Sequence, residues 1–504
     1  MADAKRLAKN TLFMYVRMIL IMVVSIYTSR VVLDKLGVDN YGLYNAVSSV
    51  VAMVVFLNTT LSTSTSRFLT YDLGQGDIVR LKETFSTAFY THLCLAGVLL
   101  ILLESIGLWY MLHMFVIPEG RNAVVHIVYQ ISVLTTVISV IQVPYTASIM
   151  AHENMDVYAY IGIFEVFAKL GIAYLLSISP IDTLVFYAIL IALVHLILAV
   201  LYIAISRNKY QETHLIRHFN RDTFKGMIGF TGWTAIANLS NSFLVQGPTL
   251  LLNLFFSPAI IASKALSNTV TQAIMQFSNN FRVALNPQII KSYASGNSEE
   301  FKRWSLRSTV ITCDLLLILG LPCISAMRTI LSLWLVEVPP MAVEFTQLAI
   351  FSQIVGSISS STYIPFVASG KLKLNAIWGA ITGFGYFVFL YFSFKMGGGP
   401  LWVQWLYLVY ILVSVFFLRP WLLHKDVGFS YNEVFRCIWD CLKPLIAASG
   451  IAFIIRNLFG DSLLMQVVLF IVVFLVSCII VWCFLEPAIR ASVINMIKQK
   501  VKGR

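Results

Sequence analysis

TLFMYVRMILIMVVSIYTSR, residues 11–30, is long and apolar enough to cross a bilayer, yet it carries Arg17 in its first half. A spanning helix needs about 20 predominantly apolar residues, and lipid tolerates an embedded charge poorly. The stretch decides the fold because runs like it recur along nearly the whole chain. They fall near residues 11–36, 42–66, 84–116, 123–150, 157–178, 183–206, 226–254, 259–290, 305–334, 342–369, 374–394, 401–423, 437–456 and 462–486. Of the 504 residues, 58% are hydrophobic and 12% charged, against roughly a quarter charged in a soluble globular chain. The expectation is an all-α, polytopic membrane protein with about 14 transmembrane helices. The opening MADAKRLAKN reads as a short basic lead and not as a removable signal peptide. The apolar run after it is too long for a signal core and lacks a small-residue cleavage site.

The net charge of +12 suggests either an anionic partner such as nucleic acid or the positive-inside rule. The distribution favours the rule, and no nucleic-acid partner is expected. Lys5, Arg6 and Lys9 precede run 1, and Arg80 and Lys82 follow run 2. Arg207, Lys209, Arg217, Arg221 and Lys225 lie between runs 6 and 7. Lys291, Lys302, Arg303 and Arg307 follow run 8, Lys371 and Lys373 follow run 10, and Arg419, Lys425 and Arg436 follow run 12. The tail adds Arg490, Lys498, Lys500, Lys502 and Arg504. If the runs alternate, all of these share one side, which places both termini in the cytoplasm. The connections on the other side (SISPID, VEVPP, KMGGGP, FGD) are short and poor in Lys and Arg. No connection can house a soluble catalytic domain; the longest, between runs 6 and 7, has about twenty residues outside the apolar pattern. The 7 Cys read as small packing residues, with no ligand spacing for a metal.

VPYTAS (143–148) matches IPFVAS (364–369), and AVSSVV from Ala46 matches ALSNTV from Ala265. DLGQGDIVRLKETFST after run 2 mirrors YASGNSEEFKRWSLRST after run 8. Three matches at nearly one offset point to a duplicated six-helix unit; chance similarity between apolar helices is the alternative. Six being even, the copies share an orientation, with a cavity expected at their interface. The expected organisation is an N-terminal lobe over 1–222, a C-terminal lobe over 223–430, and a terminal helix pair with a basic tail over 431–504.

Five runs are not plain lipid-compatible helices. In run 1, Asn10, Arg17 and Thr28 share a stripe. Run 2 ends in NTTLSTSTSR (58–67), closing on Arg67. Run 7 holds Asn238, Asn241 and Gln246, and run 10 holds Gln353 and SISSSTYIP. In run 8, Lys264, Asn268, Thr271, Asn279, Arg282 and Asn286 recur at spacings that put them on one face. Such a face looks either into a water-filled cavity or onto a polar seam between helices. The cations Arg17, Arg67, Lys264 and Arg282 favour the cavity, because few intramembrane carboxylates are available to neutralise them. A cationic chamber implies an anionic ligand, and the planar guanidinium suits phosphate. For Arg17 alone, snorkelling to the interface is the alternative. The candidate substrate-binding residues are therefore Arg17, Arg67, Lys264, Arg282, Asn241, Asn268, Thr271 and Asn279. Glu165 and Lys169 are spaced to pair within one helix. Glu104 and Asp314 are the candidates to bind a coupling sodium ion or proton, the one cofactor considered. His92 and His195 read as packing residues.

LGVDNYGLYNAVSSV (36–50), VPYTASIMAHENMD (143–156) and SGKLKLN (369–375) resemble connections in the Wzx-type polysaccharide flippases. These belong to the multidrug/oligosaccharidyl-lipid/polysaccharide exporter superfamily. The resemblance implies two six-helix lobes plus a helix pair. It implies a carrier that moves an undecaprenyl-diphosphate-linked oligosaccharide from the cytoplasmic to the periplasmic leaflet of a bacterial inner membrane, for O-antigen, capsule or other surface polysaccharide. The implied partners are that anionic lipid-linked oligosaccharide, membrane lipids and polysaccharide polymerase machinery. Arg17, Arg67 and Arg282 correspond by helix to cavity arginines of related lipid II flippases. A cation-coupled multidrug exporter is the rival on the same fold and calls for an acidic cavity. A membrane glycan polymerase or glycosyltransferase is a remote second, disfavoured by the short outer connections.

Overall fold

The structure is a computed structural model that describes residues 2–460, 462–487 and 490, apart from the side chains of residues 2–17, 59, 230–237, 277, 280, 283 and 284. The tail lysines and Arg504 lie outside the described residues. Among those described, the regular structure is entirely helical. Among the described residues, nine helices are long and apolar enough to cross a membrane, or ten if the bent pair Val38–Val54 and Phe56–Gln75 forms one span. The remaining long helices are Ala2–Leu36, Arg221–Phe255, Pro258–Ala294 and Ala342–Ser361. With the bent pair, these correspond to the five runs that the sequence marks as polar.

The chain divides into two compact units. Unit 1 comprises residues 1–266 and 379–400, and unit 2 comprises residues 267–378 and 401–504.

Unit 1 contains α1 (Ala2–Leu36), α2 (Val38–Val54), α3 (Phe56–Gln75), α4 (Ile78–Leu102), α5 (Leu108–His113), α6 (Asn122–Ala151), α7 (Met155–Leu175), α8 (Thr183–Lys209) and α9 (Arg221–Phe255). It also contains the start of α10 (Pro258–Ala294). The second run is thus not one helix: it breaks at Val55 with a 40° bend. The connections 36–38, 114–121 and 179–182 meet at one end of the unit. There the Arg121 guanidinium pairs with Asp182 and donates to Asn40 Oδ1, while Asn253 accepts from Val116 N at 3.1 Å. At the other end, Ile216 N donates to Ser86 Oγ and Asn220 N to Thr87 Oγ1, each at 3.0 Å. These pairings are the ones that alternating spans require.

Helices extend beyond their apolar runs at the basic end. α4 starts at Ile78 and α9 at Arg221, so Arg80, Lys82, Arg221 and Lys225 sit on helical turns and not in loops. The connection between runs 6 and 7 shrinks accordingly to residues 210–220, with a short 3-10 turn at Gln211–Thr213. Glu212 in that turn is buried (4% exposed). It accepts from Ser148 Oγ at 2.7 Å and lies 2.7 Å from His152 Nε2, whose ring stacks on Tyr210. Removing a buried acceptor costs about 1–3 kcal/mol. Glu212→Ala is expected to lower the thermal unfolding midpoint of the purified protein; an unchanged midpoint contradicts this pinning.

Gly42 packs face-on to the start of α10: a Cβ there would lie 1.9 Å from the Pro258 carbonyl oxygen. Only glycine permits that approach, which gives the YG pair of the 36–50 stretch a physical reason.

Unit 2 contains the rest of α10, α11 (Ser298–Ser325), α12 (Met327–Trp334), α13 (Ala342–Ser361), α14 (Ile364–Ser369), α16 (Trp402–Val413), α17 (Arg419–Leu422), α18 (Tyr431–Leu458) and α19 (Leu463–Phe484). Helix α15 (Lys373–Lys395) starts in unit 2 and continues into unit 1. α11 is central, packing on α13, α18 and α19. Lys302 and Arg307 lie on α11, where they pair with Glu433 at 3.2 Å and with Glu486 at 2.5 Å.

One of the matched pairs of stretches shares its backbone geometry. Gly76 (φ +75°) and Gly296 (φ +74°) each end a helix in the left-handed region. Each is followed by an Asx N-cap: Asp77 accepts from Arg80 N, and Asn297 from Glu300 N. The proline match is looser. Pro144 is buried inside the unbroken α6, whereas Pro365 starts the short α14 after a break at Thr362–Tyr363.

Of the cysteines, Cys313, Cys437 and Cys441 are buried, and Cys441 contacts the other two. Cys94 and Cys483 are exposed and do not pack as expected.

Candidate functional site

The hydroxyl-rich end of α3 builds the site in unit 1. Its periodicity divides the hydroxyls between two faces. One face is structural: Thr60 accepts from Asn238 Nδ2 at 2.9 Å, and buried Ser64 donates to Met227 O at 3.1 Å, both across to α9. The other face, with Thr63, Ser66, Arg67 and Thr70, lines a cavity of about 620 Å³ together with Ser62, Tyr71 and Met150. Arg67 is exposed within it, and no carboxylate is among its described lining residues. A cation among hydroxyls offers charge-assisted hydrogen bonds to anions and ordinary ones to sugar hydroxyls.

The other expected residues divide by unit. In unit 1, Lys264 is half-buried on α10 with no ion-pair partner among the described residues. Asn241 is exposed on α9. The Arg17 side chain lies outside the described residues, as does that of Asn10. Thr28, on the same stripe, spends its hydroxyl on Val24 O at 2.7 Å.

In unit 2, the Arg282 guanidinium donates to Asn279 Oδ1, one helical turn away. Asn268 is half-buried. Thr271 is buried and donates to Ser267 O at 2.7 Å, so its hydroxyl proton is already committed to its own helix.

Of the coupling candidates, Glu104 sits in a π-helical stretch, Leu103–Gly107, and accepts from Gln130 Nε2 at 3.2 Å. Asp314 is buried on α11, and its Oδ1 has no hydrogen-bond partner among the described residues. Glu165 and Lys169 pair at 2.6 Å, as their spacing suggests. His92 is fully buried, with Nδ1 on Ala88 O at 3.0 Å. His195 is not simply packed: it lines a cavity of about 180 Å³ with Ser48, Ser132, Thr135 and Thr136.

One cation is misplaced by sequence reasoning. Arg419 does not follow the twelfth span but lies inside it, in a helix running from Trp402 to Val427. The available signal is FFLRPWLL, in which apolar residues continue on both sides of the arginine.

No protein-family model matches the chain, and no curated protein sequence matches it. Its fold is that of the MOP-superfamily transporters. Among solved structures it is similar to the lipid II flippase MurJ in an inward closed conformation (TM-score 0.70, 12% identity), covering 93% of this chain and 98% of that one. It is also similar to an inward-facing multidrug resistance MATE family transporter (TM-score 0.63, 12% identity, 85% and 99% covered). A third is a MOP superfamily transporter from Pyrococcus furiosus whose binding pocket is described as reversed in polarity (TM-score 0.57, 12% identity, 86% and 96% covered).

Proposed function

We propose that this chain is a flippase that moves an undecaprenyl-diphosphate-linked oligosaccharide from the cytoplasmic to the periplasmic leaflet of a bacterial inner membrane. Transport is by alternating access and serves surface polysaccharide synthesis. The observation that carries the reading is the unit 1 cavity, where Arg67 stands among hydroxyls and no carboxylate is among the described lining residues. The likeness in fold to a lipid II flippase supports it.

In this reading Arg17, Arg67 and Arg282 draw the diphosphate in from the cytoplasmic leaflet, and the sugars are bonded by the α3 hydroxyls Thr63, Ser66 and Thr70 with the amides of Asn241, Asn268 and Asn279; Thr271, buried and bonded within its own helix, is not available to them. Lys264 receives the anion during the switch, and the prenyl tail stays in lipid. Glu104 or Asp314 takes the coupling sodium ion or proton. Polysaccharide polymerase machinery receives the product.

The multidrug exporter is the second reading, favoured by the likeness to a MATE transporter. It needs an acidic lining for cationic drugs, and the described lining of the Arg67 cavity holds no acidic residue.

In cells lacking their own surface-glycan flippase, the wild-type chain is expected to restore glycan display. Arg17→Ala/Arg282→Ala, inserted at normal levels, is expected not to. Normal display by that double variant removes the proposal.

A further inference from the structure

A guanidinium inside an apolar span is costly unless its charge is met. Arg419 lies about 12 Å from the Val427 end of its helix, counting 1.5 Å per residue, and its surroundings are built and not incidental. Two π-helical stretches, Ser414–Leu418 and Leu423–Val427, flank it on either side of Arg419–Leu422. Such stretches displace side chains from α-helical register and recur at functional sites. Nε donates to Ser359 Oγ at 2.9 Å, and Nη1 donates to Asn375 Oδ1 at 2.6 Å. Ser359 Oγ in turn lies 2.8 Å from Ser414 Oγ, and the guanidinium carbon sits 5.7 Å over the Phe366 ring.

Every one of these partners is neutral. None of the ion pairs among the described residues involves Arg419, and Nη2 has no hydrogen-bond partner among them. All of these groups belong to unit 2. The guanidinium is therefore held at two of its three nitrogens, on different sides, with no carboxylate paired to it and Nη2 left over. That is the arrangement that receives an anionic oxygen.

We propose that Arg419, oriented by Ser359 and Asn375, binds the phosphate of a membrane-embedded anionic lipid, supplied either by a polyprenyl diphosphate or by an anionic phospholipid. Only the polyprenyl source rests on the function proposed above.

Trp421 reports on the site, since it lies two residues away and packs against Trp378 at 5.6 Å. The purified full chain is titrated with undecaprenyl diphosphate, phosphatidylglycerol or zwitterionic phosphatidylcholine in mixed micelles. Trp421→Phe identifies the fluorescence signal. Saturable binding of one or both anionic lipids is expected, weakened at least about tenfold in Arg419→Gln. Asn375→Asp supplies an internal carboxylate that answers the charge. It is expected to abolish binding while the thermal midpoint holds or rises, an outcome that loss of structure does not produce. Binding of undecaprenyl diphosphate alone assigns the site to cargo, and equal binding of phosphatidylglycerol assigns it to bulk lipid. Unchanged affinity in both variants overturns the site.

Arg67→Gln assayed for transport separates the two claims. If it loses transport while the Arg419 and Asn375 variants bind normally, this site falls and the flippase reading stands. Normal transport in Arg67→Gln with binding lost in the other two gives the reverse.

Discussion

Gly42→Ala is expected to cost more than any other single-atom change in unit 1. The added Cβ would sit 1.9 Å from the Pro258 carbonyl oxygen and 2.6 Å from its carbon. Both neighbours are backbone, so no rotamer change relieves the clash, and α2 must move away from the start of α10. Overpacking ordinarily costs about 1–3 kcal/mol, and a rigid backbone collision belongs at or beyond the top of that range. The expected result is a large drop in the level of folded protein recovered from membranes and in its unfolding midpoint. Gly97→Ala is the control: nothing lies within 4 Å of its added Cβ, and an alanine inside a helix is neutral or stabilising by up to about 1 kcal/mol. Equal recovery of the two variants contradicts the packing described for the 36–50 stretch.

The second large effect concerns Arg67. It is exposed in its cavity, so Arg67→Gln is expected to change stability by no more than about 0.5 kcal/mol. A charge-assisted bond to a diphosphate is worth about 1.5–3 kcal/mol, so losing one lowers transport by roughly ten- to a hundredfold. Arg67→Lys keeps the charge but loses the planar fork, and its transport is expected to fall between glutamine and wild type. Transport rates measured at matched protein levels check the order. Lysine equal to glutamine, with both equal to wild type, removes Arg67 from the path.

Much of the fold is legible in the sequence because hydrophobic run length is a direct reading of the solvent. Thr183–Lys209 and Asn122–Ala151 fall within a few residues of runs 183–206 and 123–150. Agreement degrades at the basic end, where α4, α9 and α11 begin five to seven residues before the apolar pattern. Helices continue into water there, and hydropathy does not register helix without lipid. The break at Val55 is invisible because the residues immediately around it, VAMVVFL (51–57), are uniformly apolar and hold no Gly or Pro.

The candidate site is only partly legible. Periodicity separates the cavity face of α3, with Thr63, Ser66, Arg67 and Thr70, from its packing face, with Thr60 and Ser64, but it does not say which face packs. That depends on Asn238 and Met227, more than 160 positions away. Arg419 shows the same limit. Near the end of an apolar run, an arginine reads as a loop charge until Ser359 and Asn375 are brought beside it. Glu212 looks like a surface loop carboxylate until His152 and Ser148 close over it.

The most direct test of the central claim is transbilayer movement in proteoliposomes. The purified chain is reconstituted with undecaprenyl-diphosphate-linked oligosaccharide, and exposure of the glycan on the opposite leaflet is followed with a membrane-impermeant glycosidase. The account predicts protein-dependent movement that is lost in Arg67→Gln/Arg282→Gln. It is contradicted if the wild-type protein moves no lipid-linked glycan while the same vesicles expel a cationic dye along an ion gradient.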